Sequence, residues 1–378
     1  MTNVDRIAHW LALAQAPGVG PRTIVQLIER FGSAAAVCSA GLSALTGAGI
    51  AAKAAAAIEA PDPAVLDAVL SWAEGAAARV LTPDDGAYPE QLRVLDAPPP
   101  LLFVRGDATL LEEPQLAIVG SRNPSAGGID TARAFARYLT ALGLTVTSGL
   151  AIGIDGAAHQ GALEGGRTIA VLGTGPDRVY PAAHRSLARR IAENGALVTE
   201  FPPGTGPHAS HFPRRNRLIS GLTLGTLVVE AALRSGSLIT ARYAAEQGKE
   251  VFAVPGSIHN PLARGCHELI RQGAKLVDST DQILEELGPR LRAYTTGIPR
   301  PSRAKEHTED SAERADPEYQ RLLGCLGHDP VGPDELIARS GLSAQAVSSM
   351  LLLLELQGHV SCHPGGRYSL RGAITGKR

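Results

Sequence analysis

The sequence predicts an α/β protein: a Rossmann-like doubly wound parallel sheet, with a small all-α N-terminal domain and a C-terminal winged helix. Three observations predict this class. Short apolar runs alternate with amphipathic stretches and Gly-rich turns between residues 84 and 287. The segment before them is rich in Ala and Leu at helical spacing, and a second compact segment returns after a polar stretch near residue 300. A chain of 378 residues exceeds one ordinary domain, so two or three units with cores of their own are expected.

Residues 1–80 read as a helical domain of the SAM-like or helix-hairpin-helix-like kind. Its two interruptions are Pro17-Gly18-Val19-Gly20-Pro21 and Thr46-Gly47-Ala48-Gly49, Gly-containing turns between helices. The first hairpin could contact a phosphate or simply join two helices, and no site is assigned to it. Residues 84–287 carry the runs expected to be strands: Leu116 to Val119, Leu144 to Thr147, Thr168 to Leu172, Ala196 to Thr199, Thr226 to Val229, Val251 to Val254 and Ala274 to Val277.

Residues 288–317, rich in Pro, Arg, Ser and Glu, read as a linker. Residues 318–371 read as a winged helix-turn-helix: a helix over Asp334 to Arg339, a turn at Ser340 to Ser343, a second helix over Ala344 to Gln357, and a two-stranded wing around Pro364-Gly365-Gly366. No Lys or Arg lies between Ser340 and Gly366, which leaves the second helix little to offer phosphates. A protein-contact or structural role is favoured over reading the major groove.

Lys plus Arg number 36 and Asp plus Glu 37, for a net charge of −1. A polyanionic partner would therefore have to be met by local clustering of cations. Cys38, Cys266, Cys325 and Cys362 are scattered, with no CxxC pair and no His at ligand spacing, so neither a zinc site nor any other metal or cofactor is expected. The early acid Asp5, the lack of a signal-peptide core and the lack of a membrane-length apolar run point to a cytoplasmic protein away from membranes.

Three turns and one basic run carry the chemistry. Gly120-Ser121-Arg122-Asn123-Pro124-Ser125 joins the first expected strand to a helix, a geometry that aims backbone N–H groups and a helix N-terminus at an anion, with Arg122 as an added grip. A tight turn with a solvated Arg fits equally well at this point. Ser148-Gly149-Leu150-Ala151-Ile152-Gly153-Ile154-Asp155 would place a second turn beside it; there His159 reads as a structural hydrogen-bonder and Asp155 as a helix cap. The third, Glu230 to Thr240, offers Gly236 and the hydroxyls of Ser235, Ser237 and Thr240 as ligand contacts.

Phe201 to Val229 contains no acid and holds His208, His211, Arg214, Arg215 and Arg217, with Phe212 and Asn216 among them. Aromatic faces interleaved with guanidinium groups suit unpaired bases and their phosphates. A basic surface helix with a buried Phe anchor is the bland alternative. Several anion-sized sites on one sheet edge suit a polymer better than one small molecule.

Catalysis is unsupported. The first turn lacks G-x-G-x-x-G, Tyr138 to Thr147 offers no acid for a ribose, Gly173-Thr174-Gly175 lacks a third glycine, and Gly248-Lys249 is followed by Glu250 rather than Ser or Thr. No G-x-S-x-G elbow occurs.

Ile118-Val119-Gly120-Ser121-Arg122, Ser148-Gly149-Leu150-Ala151-x-Gly153-Ile154-Asp155-x-x-Ala158-His159, Phe212-Pro213-x-Arg215-Asn216-Arg217-Leu218-Ile219-Ser220-Gly221 and Ser235-Gly236-Ser237-Leu238-Ile239-Thr240-Ala241 occur in this order. Together they resemble the bacterial DNA-processing protein A family, DprA or Smf. The resemblance implies a cytosolic, non-catalytic protein of natural transformation that binds and protects incoming single-stranded DNA and helps load RecA recombinase. It also implies a homodimer through the Rossmann-like domain. It maps the family's positively charged pocket onto Gly120, Ser121, Arg122, Phe212, Arg215 and Arg217. The alternative is a nucleotide-phosphate-binding hydrolase of the lysine-decarboxylase-like group, whose Gly-rich loop ends in a glutamate. Here the matching turn continues into Ala241, Arg242 and Tyr243 with no acid.

Overall fold

The computed structural model describes residues 2–291, 317–327, 329–356, 359–363 and 366–370, with the backbone alone at Pro317, Gln345, Ser349, Leu352, Leu353 and Leu356. Most of the expected linker, residues 292–316, lies outside the described residues, as does Pro364-Gly365 of the wing.

Helices α1 (Asn3–Gln15), α2 (Pro21–Phe31), α3 (Ala34–Cys38), α4 (Leu42–Gly47), α5 (Ala52–Glu59) and α6 (Pro63–Ala73) form the N-terminal layer. Thr2 and Asp5 close a capping box on α1, and Pro21 and Pro63 open α2 and α6, where a missing N–H costs nothing.

Nine strands follow in one sheet: β1 (Ala78–Leu81), β2 (Leu102–Gly106), β3 (Gln115–Gly120), β4 (Thr145–Ser148), β5 (Thr168–Val171), β6 (Ala196–Thr199), β7 (Gly225–Val229), β8 (Glu250–Ala253) and β9 (Lys275–Leu276). Their spatial order is β1-β2-β6-β5-β4-β3-β7-β8-β9. From β6 to β9 all neighbours are parallel; β1 and β2 are added antiparallel to the β6 edge. Each of the seven expected runs contains a strand. The sheet begins earlier than residue 84, because β1 pairs Ala78 with Arg105 and Leu81 with Leu102.

Phe103, Val80 and Leu101 are buried with the N-terminal helices in one cluster, and Trp72 meets Phe103 edge-on at 5.6 Å. Trp10 Nε1 donates to Asp84 at 2.6 Å and Arg6 pairs with Asp85 at 2.7 Å. The helical layer is thereby packed onto the antiparallel margin of the sheet.

The helices α7 (Glu90–Arg93), α8 (Ala126–Ala141), α9 (Ile154–Gly165), α10 (Arg185–Asn194), α11 (His211–Leu222), α12 (Ser237–Glu246), α13 (Arg264–Arg271) and α14 (Thr280–Leu291) complete the α/β unit. One face of the sheet buries Leu218, Ile219 and Leu222 of α11, Ala241 of α12 and Cys266 of α13. The opposite face buries Phe135 and Leu139 of α8, Ile154 and Ala157 of α9, and Ile283 and Leu287 of α14. Both faces are covered, as a parallel sheet requires. The chain winds outward from β3 through β4, β5 and β6, then returns to the other side of β3 for β7. Strand order therefore reverses between β3 and β7, the switch point outside which open α/β sheets bind ligands.

The C-terminal unit comprises α15 (Pro317–Cys325), α16 (Pro333–Ser340), α17 (Ala344–Leu356) and the antiparallel pair β10 (Val360–His363) and β11 (Arg367–Leu370). Leu322, Leu336, Val347, Leu351 and Val360 fill its core, and Val331 bridges to Tyr368. This is the winged helix that the sequence predicts.

Candidate functional site

A cleft of about 650 Å³ opens at the switch point. Its walls are the end of β3 with the following turn (Val119 to Asn123), the loop before α9, one face of α11, and the turn from β7 into α12 (Ala232 and Arg234 to Ser237, then Ile239 and Thr240).

The first turn is held by its neighbour across the switch point. Ser121 N–H donates to the Glu230 carbonyl at 2.7 Å, and Ser121 Oγ accepts from Asn123 N–H at 3.1 Å. Arg122 is left exposed, its guanidinium 5.6 Å from the Phe212 ring centroid. The helix N-terminus beyond the turn is already satisfied. Glu230 Oε2 accepts the Ser125 N–H at 2.8 Å, Glu230 Oε1 accepts the Ser125 hydroxyl at 2.5 Å, and Ser125 Oγ accepts Gly128 N–H at 3.0 Å. The carboxylate that complements the positive end of α8 is thus supplied from within the chain, and the turn rather than the helix end faces the cleft. Glu230 adopts this pose at φ 53°, in the left-handed region.

In the second turn, Asp155 Oδ2 accepts from the N–H groups of Gly149 at 3.1 Å and Ala151 at 3.3 Å. Asp155 lies inside the first turn of α9, whose N-cap is Gly153, so it fastens the loop rather than capping the helix as expected. Burial raises its pKa, opposed by the charge of Arg215, the two N–H bonds and the charge of Arg122. His159 is fully buried with Nδ1 2.8 Å from Thr168 Oγ1. The Thr168 hydroxyl gives its proton to the Val146 carbonyl, so His159 Nδ1 is the donor. Burial, with the charges of His184 and Arg215, pushes its pKa down to about 3. It is a neutral structural group, as expected.

Helix α11 divides the basic run by its period. Phe212, Arg215, Asn216 and Ile219 stand at i, i+3, i+4 and i+7 and all line the cleft. Arg215 is only 4% exposed, its pKa lowered to about 10 by burial despite the charge of Asp155. Its Nε and Nη1 are buried without a hydrogen-bond partner. Gly149 makes room for it, because a Cβ there would collide with the guanidinium. Gly149 thus serves the site from behind Arg215.

Arg214 and Arg217 turn to the other side, and both bind the Glu200 carboxylate, which is fully buried at the end of β6. Arg214 Nε donates to Oε1 at 2.9 Å and stacks over Phe201; Arg217 Nη2 donates to Oε2, and its Nη1 donates to the Ala97 carbonyl. Neither lines the cleft. The expectation that Arg217 faces a phosphate gives way to an anchoring role, because its side chain is 12% exposed and already paired. Asn216 Nδ2 donates to Gly236 O at 3.3 Å, tying α11 to the third turn. There Ser235 and Ser237 share a hydroxyl contact of 2.7 Å, and Thr240 is buried at the base.

The cleft thus unites Gly120, Ser121, Arg122, Phe212, Arg215, Asn216, Ser235, Gly236, Ser237 and Thr240. It adds exposed Arg234, which the sequence reading did not single out. Arg122, Arg215 and Arg234 face Asp155, so the lining is net positive. No helix among the described residues is long and apolar enough to cross a membrane.

Residues 79–288 match the family of DNA recombination-mediator protein A, residues 5–65 the DprA-like N-terminal HHH domain, and residues 306–366 the DprA winged helix domain. Protein Smf of Escherichia coli (strain K12) is 44% identical over 315 residues, spanning 83% of this chain and 83% of that protein. Protein Smf of Synechocystis sp. is 35% identical over 403 residues, covering 98% and 100%. Among solved structures, DNA processing protein A from Streptococcus pneumoniae superposes with a TM-score of 0.66 at 37% identity, covering 76% of this chain and 98% of that one. DNA processing protein A from Helicobacter pylori, solved for its single-stranded DNA binding mode, gives 0.51 at 29% identity, covering 56% and 97%.

Proposed function

As this chain belongs to the DNA recombination-mediator protein A family, DprA or Smf, we propose that it binds single-stranded DNA in the switch-point cleft and catalyses no reaction. Its setting in this reading is natural transformation in the cytoplasm, where it protects incoming strands and helps load RecA recombinase as a homodimer joined through the Rossmann-like domain. The observation that carries the binding site is the convergence of Arg122, Arg215 and Arg234 on one cleft with Phe212 and the small residues of two turns.

Arg122 and Arg234 meet phosphates from the two turns that follow β3 and β7. Gly120, Ser121, Ser235, Gly236, Ser237 and Thr240 let the backbone of a strand approach closely, and Asn216 holds two walls together. Gly149, Arg214 and Arg217 serve by positioning Arg215 and α11. Asp155, the acid in the lining, is committed to N–H groups of its own loop, which favours a binding module over a hydrolase. The H. pylori relative supports the choice of ligand. Dimerisation and recombinase loading rest on family resemblance.

Fluorescence anisotropy with labelled single strands and matched duplex, in a series of salt concentrations, tests this function. The reading expects single-strand preference and affinity that falls steeply with salt. Equal affinity for duplex defeats it, and release of free adenine from AMP revives the hydrolase alternative. RecA filament growth on coated strands, with and without residues 318–378, tests the loading role.

A further inference from the structure

Resting on the single-strand reading above, we infer that Tyr180, and not Phe212, presents the ring on which an unpaired base stacks. Tyr180 stands in the loop after β5 with 50% of its surface exposed, its ring centroid 5.6 Å from that of Phe212 and tilted by 46°. Phe212 is enclosed. A Cβ on Gly173 would come within 3.0 Å of its ring, the Arg122 guanidinium lies 5.6 Å from its centroid, and Tyr180 covers a further side.

The two aromatic residues therefore do different work. Phe212 is a support that seats Arg122 at the cleft and props Tyr180 beside it. Tyr180 holds half of its surface in water at the margin of a cationic cleft, the pairing of open aromatic face and guanidinium that single-strand sites use. One nucleotide can then place its base on Tyr180 and its phosphate toward Arg122. Stacking of this kind reads the π-face that every base has, so the contact tolerates any sequence.

The test separates stacking from a structural role by removing the bases instead of the phosphates. Affinities of wild type, Tyr180→Ala, Tyr180→Phe and Phe212→Leu are measured on oligothymidylate and on an abasic strand of equal length. Tyr180→Ala should lose roughly 5- to 150-fold on oligothymidylate, the range for one lost base stack, and match wild type on the abasic strand. Tyr180→Phe should restore the difference between the two strands. Phe212→Leu, which disturbs the support and Arg122 together, should weaken both strands alike. Equal loss on both strands for Tyr180→Ala, or a base-dependent loss for Phe212→Leu alone, overturns the inference. Failure of wild type to bind either strand refutes the single-strand reading itself and is told apart from both.

Discussion

The guanidinium of Arg215 occupies the space where a side chain on residue 149 would begin. The cation lines the cleft against the loop Gly149 to Asp155, with two of its nitrogens unpartnered. A methyl group at residue 149 must push it out of place. Gly149→Ala is expected to cost about 1–3 kcal/mol in stability, as overpacking does, and to lower single-strand affinity by more than its thermal shift explains. Thermal melts and anisotropy on the same preparation check this.

Arg217 has a different fate. Its removal leaves Ala97 O and part of the buried Glu200 carboxylate unsatisfied, so Arg217→Ala should lose about 3 kcal/mol of stability. The salt dependence of strand binding should keep the wild-type slope, because no phosphate contact is lost. A reduced slope would return Arg217 to the cleft.

His159 makes stability fall in acid. Its folded pKa of about 3 lies below the ordinary value of 6.5, so between these limits the unfolded chain binds a proton that the folded chain does not. Stability is therefore lost as pH drops from 6.5 toward 3. In His159→Gln, urea midpoints measured over this window should fall less steeply than in wild type.

Lys249 tilts stability at the alkaline end. Its ammonium donates to the carbonyls of Ser220 (2.8 Å) and Gly221 in the last turn of α11, and burial with the nearby charge of Arg290 lowers its pKa to about 7. Between 7 and the ordinary 10.5 the unfolded chain holds the extra proton, so this group adds stability as pH rises through the window. The melting temperature of wild type should rise relative to that of Lys249→Met from pH 7 to pH 10.

The seven parallel strands were legible because they lie in short apolar runs, most of them followed by a glycine-containing turn. The strands β1 and β2 escaped: Ala78-Arg79-Val80-Leu81 is too short and mixed to stand out, and its partner, 24 residues on, follows three prolines. In the site, the three turns could be read, and the period of α11 already separates Phe212, Arg215 and Asn216 from Arg214 and Arg217. What decided the roles lay just outside the acid-free stretch. Glu200 precedes it and neutralises two arginines, while Glu230 follows it and fills the end of α8. The Glu230 pairing depends on β3 lying beside β7, a neighbour relation made by chain crossover and invisible to local pattern.

The slope of log affinity against log salt for single strands, measured on wild type and on Arg122→Ala/Arg234→Ala, tests the cleft most directly. Both side chains are exposed, so the double variant should keep the wild-type melting temperature. Loss of two phosphate contacts should make its slope shallower by about 1.4 and its affinity clearly weaker. A variant that binds with unchanged slope and affinity would contradict the assignment of the switch-point cleft as the strand-binding site.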